Sequence, residues 1–584
     1  MALIFFMFGF RLKNWPMKIQ IILWLGVLVM LNACGSDSPT ADVILLNANV
    51  YTVDEENPQA EAIAIQDGRI LAVGAASDVE AFRAAETETM DMEGRFVMPG
   101  FIEGHGHFSG LGSSLMNLNF LQSRSWDEIV AAVAEKAGET SAGDWIVGRG
   151  WHQEKWTASP QPNVLGYPYH DGLSALTPDH PVVLRHASGH ALFANARAMQ
   201  LAGITRETPD PSGGEIVRDA RGRATGVFEE TAMALINQAY RAYRDSMTAE
   251  AREAEWLRGI ELAQQECLAK GITSFQDAGS SFEEVLRYQE LAENGAFDLR
   301  LWAMIRESSE ELSGKVDALP ILDAGDHFFT CRAFKVSIDG ALGSFGAWLL
   351  EPYEDKPDFI GQNTTPVPEV ENLARLARDN GIQMCVHAIG DRANRVVLDI
   401  YEQMIGDNPT QQNLRWRIEH AQHLHPDDIG RFARLGVIPA MQAIHCTSDA
   451  PFVVKRLGEE RAREGAYPWR SLLDQGALVT NGTDAPVEDV DPIPSFYASV
   501  TRRRPDSGLL FFPEQSMTRE EAIKSYTLSN AYAAFEEDQK GSIEVGKLAD
   551  LVVLSNDLLT CSDEEILETE VHMTMVGGEV KYRK

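Results

Sequence analysis

The chain has 584 residues and a formal net charge of −35, from 51 Lys and Arg against 86 Asp and Glu. That length predicts a large catalytic domain with smaller units attached. The acidic excess excludes a nucleic-acid binder, which needs a basic footprint for phosphate contacts, while 44% hydrophobic and 23% charged residues are ordinary for a globular protein.

The N-terminal stretch reads as an export signal. From Met17 the chain runs MKIQIILWLGVLVMLNAC, with Lys18 as a short basic region and an apolar run over 19–30. The run is too short to span a bilayer comfortably but suits a signal. It ends at Leu31-Asn32-Ala33-Cys34, similar to a bacterial lipobox, with Asn32 a less usual residue there. The reading assigns 1–34 as lipoprotein signal, with Met17 a candidate start, and Cys34 as the lipidated residue. The expected location is a bacterial cell envelope, anchored to a membrane by lipid and facing the periplasm. Gly35 after the cysteine favours the outer membrane. The other cysteines, Cys267, Cys331, Cys385, Cys446 and Cys561, form no CxxC pair, so no zinc ribbon or redox motif is indicated. They are expected to be small buried hydrophobes.

Residues 36–41 are small and polar, a tether. Short alternating strands follow in DVILLNANVYTV, EAIAIQDGRILAVG and TMDMEGRFVMPG, with Asp67-Gly68 and Glu93-Gly94 as hairpin signals. The same style returns in GSIEVGKLADLVVLS and VHMTMVGGEVKYRK near the C-terminus. Neither end has enough strands for a stable sheet alone. Together, 35–96 and 539–584 predict one small β-sandwich built from both termini.

Between them, over 97–538, strands alternate with amphipathic helices. The candidate strands are FVMPGFIEGHGH, GITSFQD, LRLWAMI, AFKVSID, IQMCVH, LRWRIEH, VIPAMQ and ALVTNGTD. Eight β/α units predict an α/β fold, a closed (β/α)₈ barrel. The long gap after the first strand, about 109–270, predicts an α+β insertion with a return helix near 250–269.

Chemistry gathers at the strand ends. His105 and His107 stand two apart, so their imidazoles share one face and can clamp a divalent metal. His387, His420 and Asp484 each end a predicted strand. The C-terminal strand ends of a barrel converge on one mouth, where catalytic groups collect. In AFKVSID the polar Lys335, Ser337 and Asp339 alternate with Phe334, Val336 and Ile338, which turns the polar trio toward the mouth.

These motifs carry a resemblance. HGH after PGFIE, VHAIGD, IEHAQ and GTDAP resemble the metal-binding strands of the amidohydrolase superfamily. FKVSIDGALGSFGA, GRGWHQEKW and HASGH are similar, more narrowly, to amidohydrolase family 3, which includes proteins like N-substituted formamide deformylase. The likeness spans nearly all of the chain after Cys34. One departure is Glu103, where the family usually has Asp, with little consequence expected. The resemblance implies that His105, His107 and Asp484 bind one metal and that His387 and His420 bind a second where two are present. It implies further that Lys335, carboxylated by carbon dioxide, bridges them. An ordinary ion-paired lysine is the competing reading. Zinc suits these donors best, with iron or manganese as alternatives. Asp484 would take a proton from the attacking water and return it to the leaving nitrogen. Trp151, His152, His186, His190, Asp339, Gln442 and His445 are candidates for shaping the substrate pocket, or for packing around it.

The resulting expectation is a hydrolase acting on a C–N bond of a small amide, N-formyl or cyclic amide compound. A lactone or ester hydrolase on the same site is the alternative, and a non-catalytic ligand-binding envelope lipoprotein a weaker one. A homo-oligomer is compatible with the sequence.

Overall fold

The structure, a computed structural model, describes residues 39–406 and 413–584. The signal segment and Cys34 lie outside the described residues. No helix among the described residues is long and apolar enough to cross a membrane.

Eight parallel strands run in chain order around one sheet: β1 (Phe101–Gly106), β2 (Ile272–Ser280), β3 (Arg300–Ile305), β4 (Phe329–Ser337), β5 (Gln383–Ala388), β6 (Arg417–His420), β7 (Ile438–Met441) and β8 (Thr480–Asn481). They form a nearly closed (β/α)₈ barrel. Strands such as β5 and β6 are buried along their whole length, because helices cover one face and the barrel interior the other. The helix over 367–379 shows why the intervening segments coil. Val370, Leu373, Ala374 and Ala377 fall on one buried stripe at helical spacing. Pro368 opens its first turn, and Gly381, at φ +66°, takes the chain away from its end.

β1 and β8 are not paired as strands. The ring closes just beyond their ends, where the Asp484 amide donates to the His105 carbonyl at 2.7 Å and the His107 amide to the Ala485 carbonyl at 2.6 Å. The seam therefore falls on the segments that carry the candidate ligands.

The terminal strands form two stacked sheets. One pairs Arg69–Gly74, Ala62–Gln66, Val43–Leu46 and Glu88–Asp91. The other joins Glu579–Arg583, Val571–Val576, Leu551–Leu554, Phe96–Pro99, Asn49–Tyr51 and Gln59–Ala60, so N- and C-terminal strands share one ladder. Two details differ from the sequence reading. The predicted first barrel strand is two strands: Phe96–Pro99 pairs with Leu551–Leu554 in the sandwich, and only the part after Gly100 enters the barrel. A side chain at Gly100 would lie 2.2 Å from Thr273, so the crossing point tolerates no Cβ. Asp67-Gly68 does make a hairpin, whereas Glu93-Gly94 is a left-handed turn that passes the chain between sheets. Turn chemistry alone does not say which neighbour a strand will choose.

The insertion after β1 is a six-stranded mixed sheet that includes Ile146–Trp151, Val182–His186 and Ala224–Glu230. The helix Ala249–Ala269 returns the chain to β2. Cys267, Cys331, Cys385 and Cys446 are buried thiols, and Cys561 is half-buried.

One buried ion pair fastens sandwich to barrel. Arg300 of β3 reaches Asp550 through Nε at 2.7 Å and Nη2 at 3.0 Å, and the Gly577 amide donates to the same carboxylate at 2.8 Å. Removing one partner leaves a buried charge unpaired. Asp550→Ala should therefore lower unfolding free energy by about 3–5 kcal/mol in denaturant titrations, whereas replacing both partners with apolar residues should cost less. Equal losses in both variants would contradict this account.

Candidate metal centre

His105 ends β1 with its side chain 1% exposed, and its Nδ1 donates to Glu419 of β6 in a short contact. That bond leaves Nε2 as the available lone pair. His420 ends β6, and its Nδ1 meets Gln442 Oε1 at 2.6 Å, which again leaves Nε2 free. Asp484 follows β8. Its Oδ1 lies 3.6 Å from His105 Nε2 and 3.2 Å from His107 Nε2, and its Oδ2 lies 4.0 Å from His420 Nδ1. His105, His420 and Asp484 are buried and offer ligand atoms within 4.8 Å of one another. This tight group draws one histidine from each of the two sets that the family resemblance implies. His107 stands beside it at the more open mouth, its side chain 31% exposed. The His387 ring packs 4.5 Å from that of His420.

Two further observations fit a metal. His105 Nε2 and Asp484 Oδ1 are fully buried with no hydrogen-bond partner, although they face each other. Buried polar atoms are ordinarily satisfied, so a facing pair of lone-pair donors calls for a cation between them. The chemistry of the set, imidazoles with one carboxylate, is that of a divalent transition-metal site.

The protonation states favour ligation. Burial, with Lys335 nearby, lowers His105 to about 4, and burial also holds His387 and His420 well below the usual histidine range. Burial opposes ionisation of Asp484, but the facing His107, His420 and His105 outweigh it and hold the group well below the ordinary carboxylate range. Lys335 of β4 is buried and lowered to about 8, chiefly by desolvation. Among the described residues its ammonium has no hydrogen-bond or ion-pair partner.

The surroundings explain how the ligands are held. Glu419 also pairs with Arg417, whose Nε lies 2.7 Å from Oε1, and Arg417 reaches the Gly104 carbonyl at 2.7 Å and Gln276 at 2.5 Å. Adjacent residues on a strand face opposite sides, yet Glu419 and His420 both serve the site. His420 manages this with φ +74°, and Asp484 likewise sits at φ +60°. Left-handed backbone at non-glycine residues costs on the order of 1–3 kcal/mol each and concentrates at functional sites. Glu103, set aside in the sequence reading, has a definite task. It accepts from the Thr483 amide at 2.7 Å, the Thr483 hydroxyl at 3.0 Å and the His105 amide at 3.2 Å, so it joins the two ligand-bearing segments across the seam. Burial pushes its carboxyl up to about 8 against those bonds. A side chain at Gly482 would lie 2.4 Å from Glu103 and 2.7 Å from the His105 amide.

A cavity of about 330 Å³ opens above the ligands, and His152, His186, His190 and His445 line it. His190 comes from the insertion and is held by Glu230 at 3.0 Å; burial disfavours its charged form, but Glu230 outweighs burial and raises it. His445 Nδ1 meets Gln422 at 2.8 Å, and its Nε2 is buried without a partner. Three predicted pocket residues do not line the cavity. Trp151 is core, its indole N–H bonded to the Leu184 carbonyl at 2.8 Å. Asp339 lies beyond the end of β4, where alternation stops, and accepts from the Ile389, Gly390 and Trp348 amides. Gln442 orients His420 from behind. A larger depression of about 990 Å³ between sandwich and barrel carries no histidine.

Residues 88–582 match the amidohydrolase family. The chain is 30% identical over 578 residues to an N-substituted formamide deformylase of Arthrobacter pascens, covering 93% of this chain and 98% of that protein. It is 31% identical to the Protein LONG AFTER FAR-RED 3 of Arabidopsis thaliana, over 93% and 92% of the two chains. Among solved structures, an uncharacterized metal-dependent hydrolase from Pyrococcus furiosus superposes with a TM-score of 0.67 at 27% identity, covering 89% of this chain and 100% of that one.

Because Glu419 fixes the His105 tautomer, Glu419→Gln should weaken zinc binding about 10–100-fold in chelator competition and, by leaving buried Arg417 without its charge partner, lower the melting temperature. Unchanged affinity would remove Glu419 from the site.

Proposed function

We propose that this chain, which belongs to the amidohydrolase family, is a metal-dependent hydrolase that cleaves the C–N bond of an amide, N-formyl or cyclic amide substrate. The observation that carries the reading is the buried convergence of His105, His420 and Asp484. Similarity to an N-substituted formamide deformylase supports N-formyl compounds as the first substrates to try.

In this reading His105, His107 and Asp484 would hold one divalent ion, zinc by donor type, and His387 and His420 would hold a second where two are bound. An ion bound there makes water a nucleophile near neutral pH and polarises a carbonyl. Asp484 contributes the proton relay. Burial opposes its ionisation, but the hydrogen bond from His107 helps keep it a carboxylate, so it can accept the proton released by attacking water and deliver it to the departing nitrogen. His105 and His420 stay neutral because burial disfavours their charged forms, which keeps their lone pairs available.

Lys335, once carboxylated, would help to hold both ions. Desolvation brings its ammonium to about 8, so more of it is free amine near neutral pH than for an exposed lysine. That amine can add to carbon dioxide, forming one N–C bond and releasing one proton, and the product is an anionic carbamate. We also propose, from the sequence of 17–35 alone, that Cys34 is lipidated and anchors the protein at the outer membrane.

The decisive assay is metal analysis of purified protein followed by paired N-formyl, N-acyl and ester substrates. Hydrolysis of esters without amides would replace the C–N reading with the ester one. Asp484→Asn should retain much of the metal while kcat falls about 10²–10⁴-fold, and near-normal turnover would refute its role. Lys335→Ala should lose one metal equivalent, with activity partly restored by short carboxylic acids. Full metal content in that variant would defeat the bridge.

A further inference from the structure

The cavity above the metal centre gathers cations that have no anionic partner. Arg149, Arg185, Arg306 and Lys335 all line it, and among the described residues none of the four forms an ion pair. Asp484 and Glu488 favour the Arg149 charge from a distance, but the carboxylates on the same cavity make their direct contacts elsewhere. Glu488 pairs with Lys155 at 2.9 Å and accepts from Ser448 at 2.6 Å. Asp449 accepts from Tyr467 at 2.7 Å, and Asp484 belongs to the metal centre. In a chain of net charge −35, unpaired arginines at one cavity call for a reason.

Two of them stand side by side. Arg149 and Arg185 are register partners in the neighbouring parallel strands Ile146–Trp151 and Val182–His186, so their side chains leave the same face of the insertion sheet. Like charges in that relation repel, and burial makes the repulsion costlier. Arg149 is only 9% exposed, and its Nη1 is buried with no hydrogen-bond partner. Its Nη2 reaches only the Ala187 carbonyl at 3.3 Å, and Arg185 donates to Asn237 at 3.1 Å. Each guanidinium has five N–H donors in a planar fork, and most are unused. A carboxylate would accept from both forks and cancel the repulsion. Arg306, which follows β3 and donates to Ser337 at 3.0 Å, adds positive potential to the same cavity.

We infer that Arg149 and Arg185 form a carboxylate-binding subsite beside the metal centre, and that the substrate is a small N-formyl or N-acyl compound bearing a carboxylate. The inference rests on the hydrolase reading for placing substrate in this cavity. The pairing of the two arginines within the insertion explains why this unit leans over the barrel mouth: it supplies the group that recognises the end of the substrate away from the scissile bond. An uncharged formamide would leave both guanidiniums unsatisfied, so the subsite also selects against neutral compounds.

The test uses the metal-loaded enzyme, and the arginine variants separate binding at the subsite from ligation of the ion. Calorimetry then compares N-acetylglycine and N-acetyl-leucine with their uncharged primary amides. The carboxylates should bind at least about tenfold more tightly than the amides, and the preference should shrink as salt rises. Arg185→Gln and Arg149→Gln should each remove most of the preference, with thermal melting confirming that both variants fold. The half-buried Arg185 is the safer of the two should Arg149→Gln not fold. Equal affinity for acid and amide, no saturable binding of either acid, or a preference intact in Arg185→Gln would overturn the subsite. If the preference holds but the metal-loaded enzyme hydrolyses no amide, the subsite stands and the hydrolase reading falls.

Discussion

The structure depends on a buried carboxylate, Glu419, that holds the His105 imidazole from behind. Inside a barrel whose strands are buried on both faces, an ionised glutamate survives only with partners. Arg417 on the same strand supplies a charge, and His105 supplies a donor across the interior. Arg417 then spends its remaining donors on the Gly104 carbonyl and Gln276, and so ties β6 to β1 and β2. The result is one satisfied polar network crossing the barrel. At its end, His105 Nε2 is left without a hydrogen-bond partner and points at Asp484. Half-satisfied networks are costly, and a cation at that point completes this one.

The second constraint is the seam. β1 and β8 meet through backbone bonds at His105, His107, Asp484 and Ala485, reinforced by Glu103 on Thr483. Barrel closure and ligand placement are therefore the same event, and a defect in one would disturb the other. Local strain marks the same place. His420 and Asp484 both occupy left-handed backbone, a conformation that the surrounding bonds must impose.

Much of this was legible in the sequence because periodicity reports which face a residue occupies. The eight strands are legible as apolar runs, and so is the placement of His105, His107, His387, His420 and Asp484 at or just beyond their ends. Glu419 was missed for the same reason: strict alternation places it opposite His420, and only the left-handed turn at His420 brings both to the site. The opposite charges of Arg417 and Glu419, two apart in a short strand of an all-parallel barrel, were the available signal. The weight of Glu103 depended on Thr483, too distant in sequence for any local pattern to connect. For Trp151, Asp339 and Gln442 the sequence leaves pocket and packing roles open, and the structure takes the packing alternative, since a loop can turn a polar group toward backbone amides as easily as toward a cavity. Arg149 and Arg185 carried no signal as single arginines. Their meaning appears only in strand register, which sets two like charges together and leaves them unpaired.

Anomalous diffraction from crystals of the zinc-loaded protein, collected on both sides of the zinc edge, tests the central claim most directly. The account predicts a zinc peak bounded by His105 Nε2 and Asp484, with His420 within coordination reach and Glu419 still on His105 Nδ1. Zinc bound elsewhere, with His105 and Asp484 hydrogen-bonded to each other and no peak between them, would contradict it.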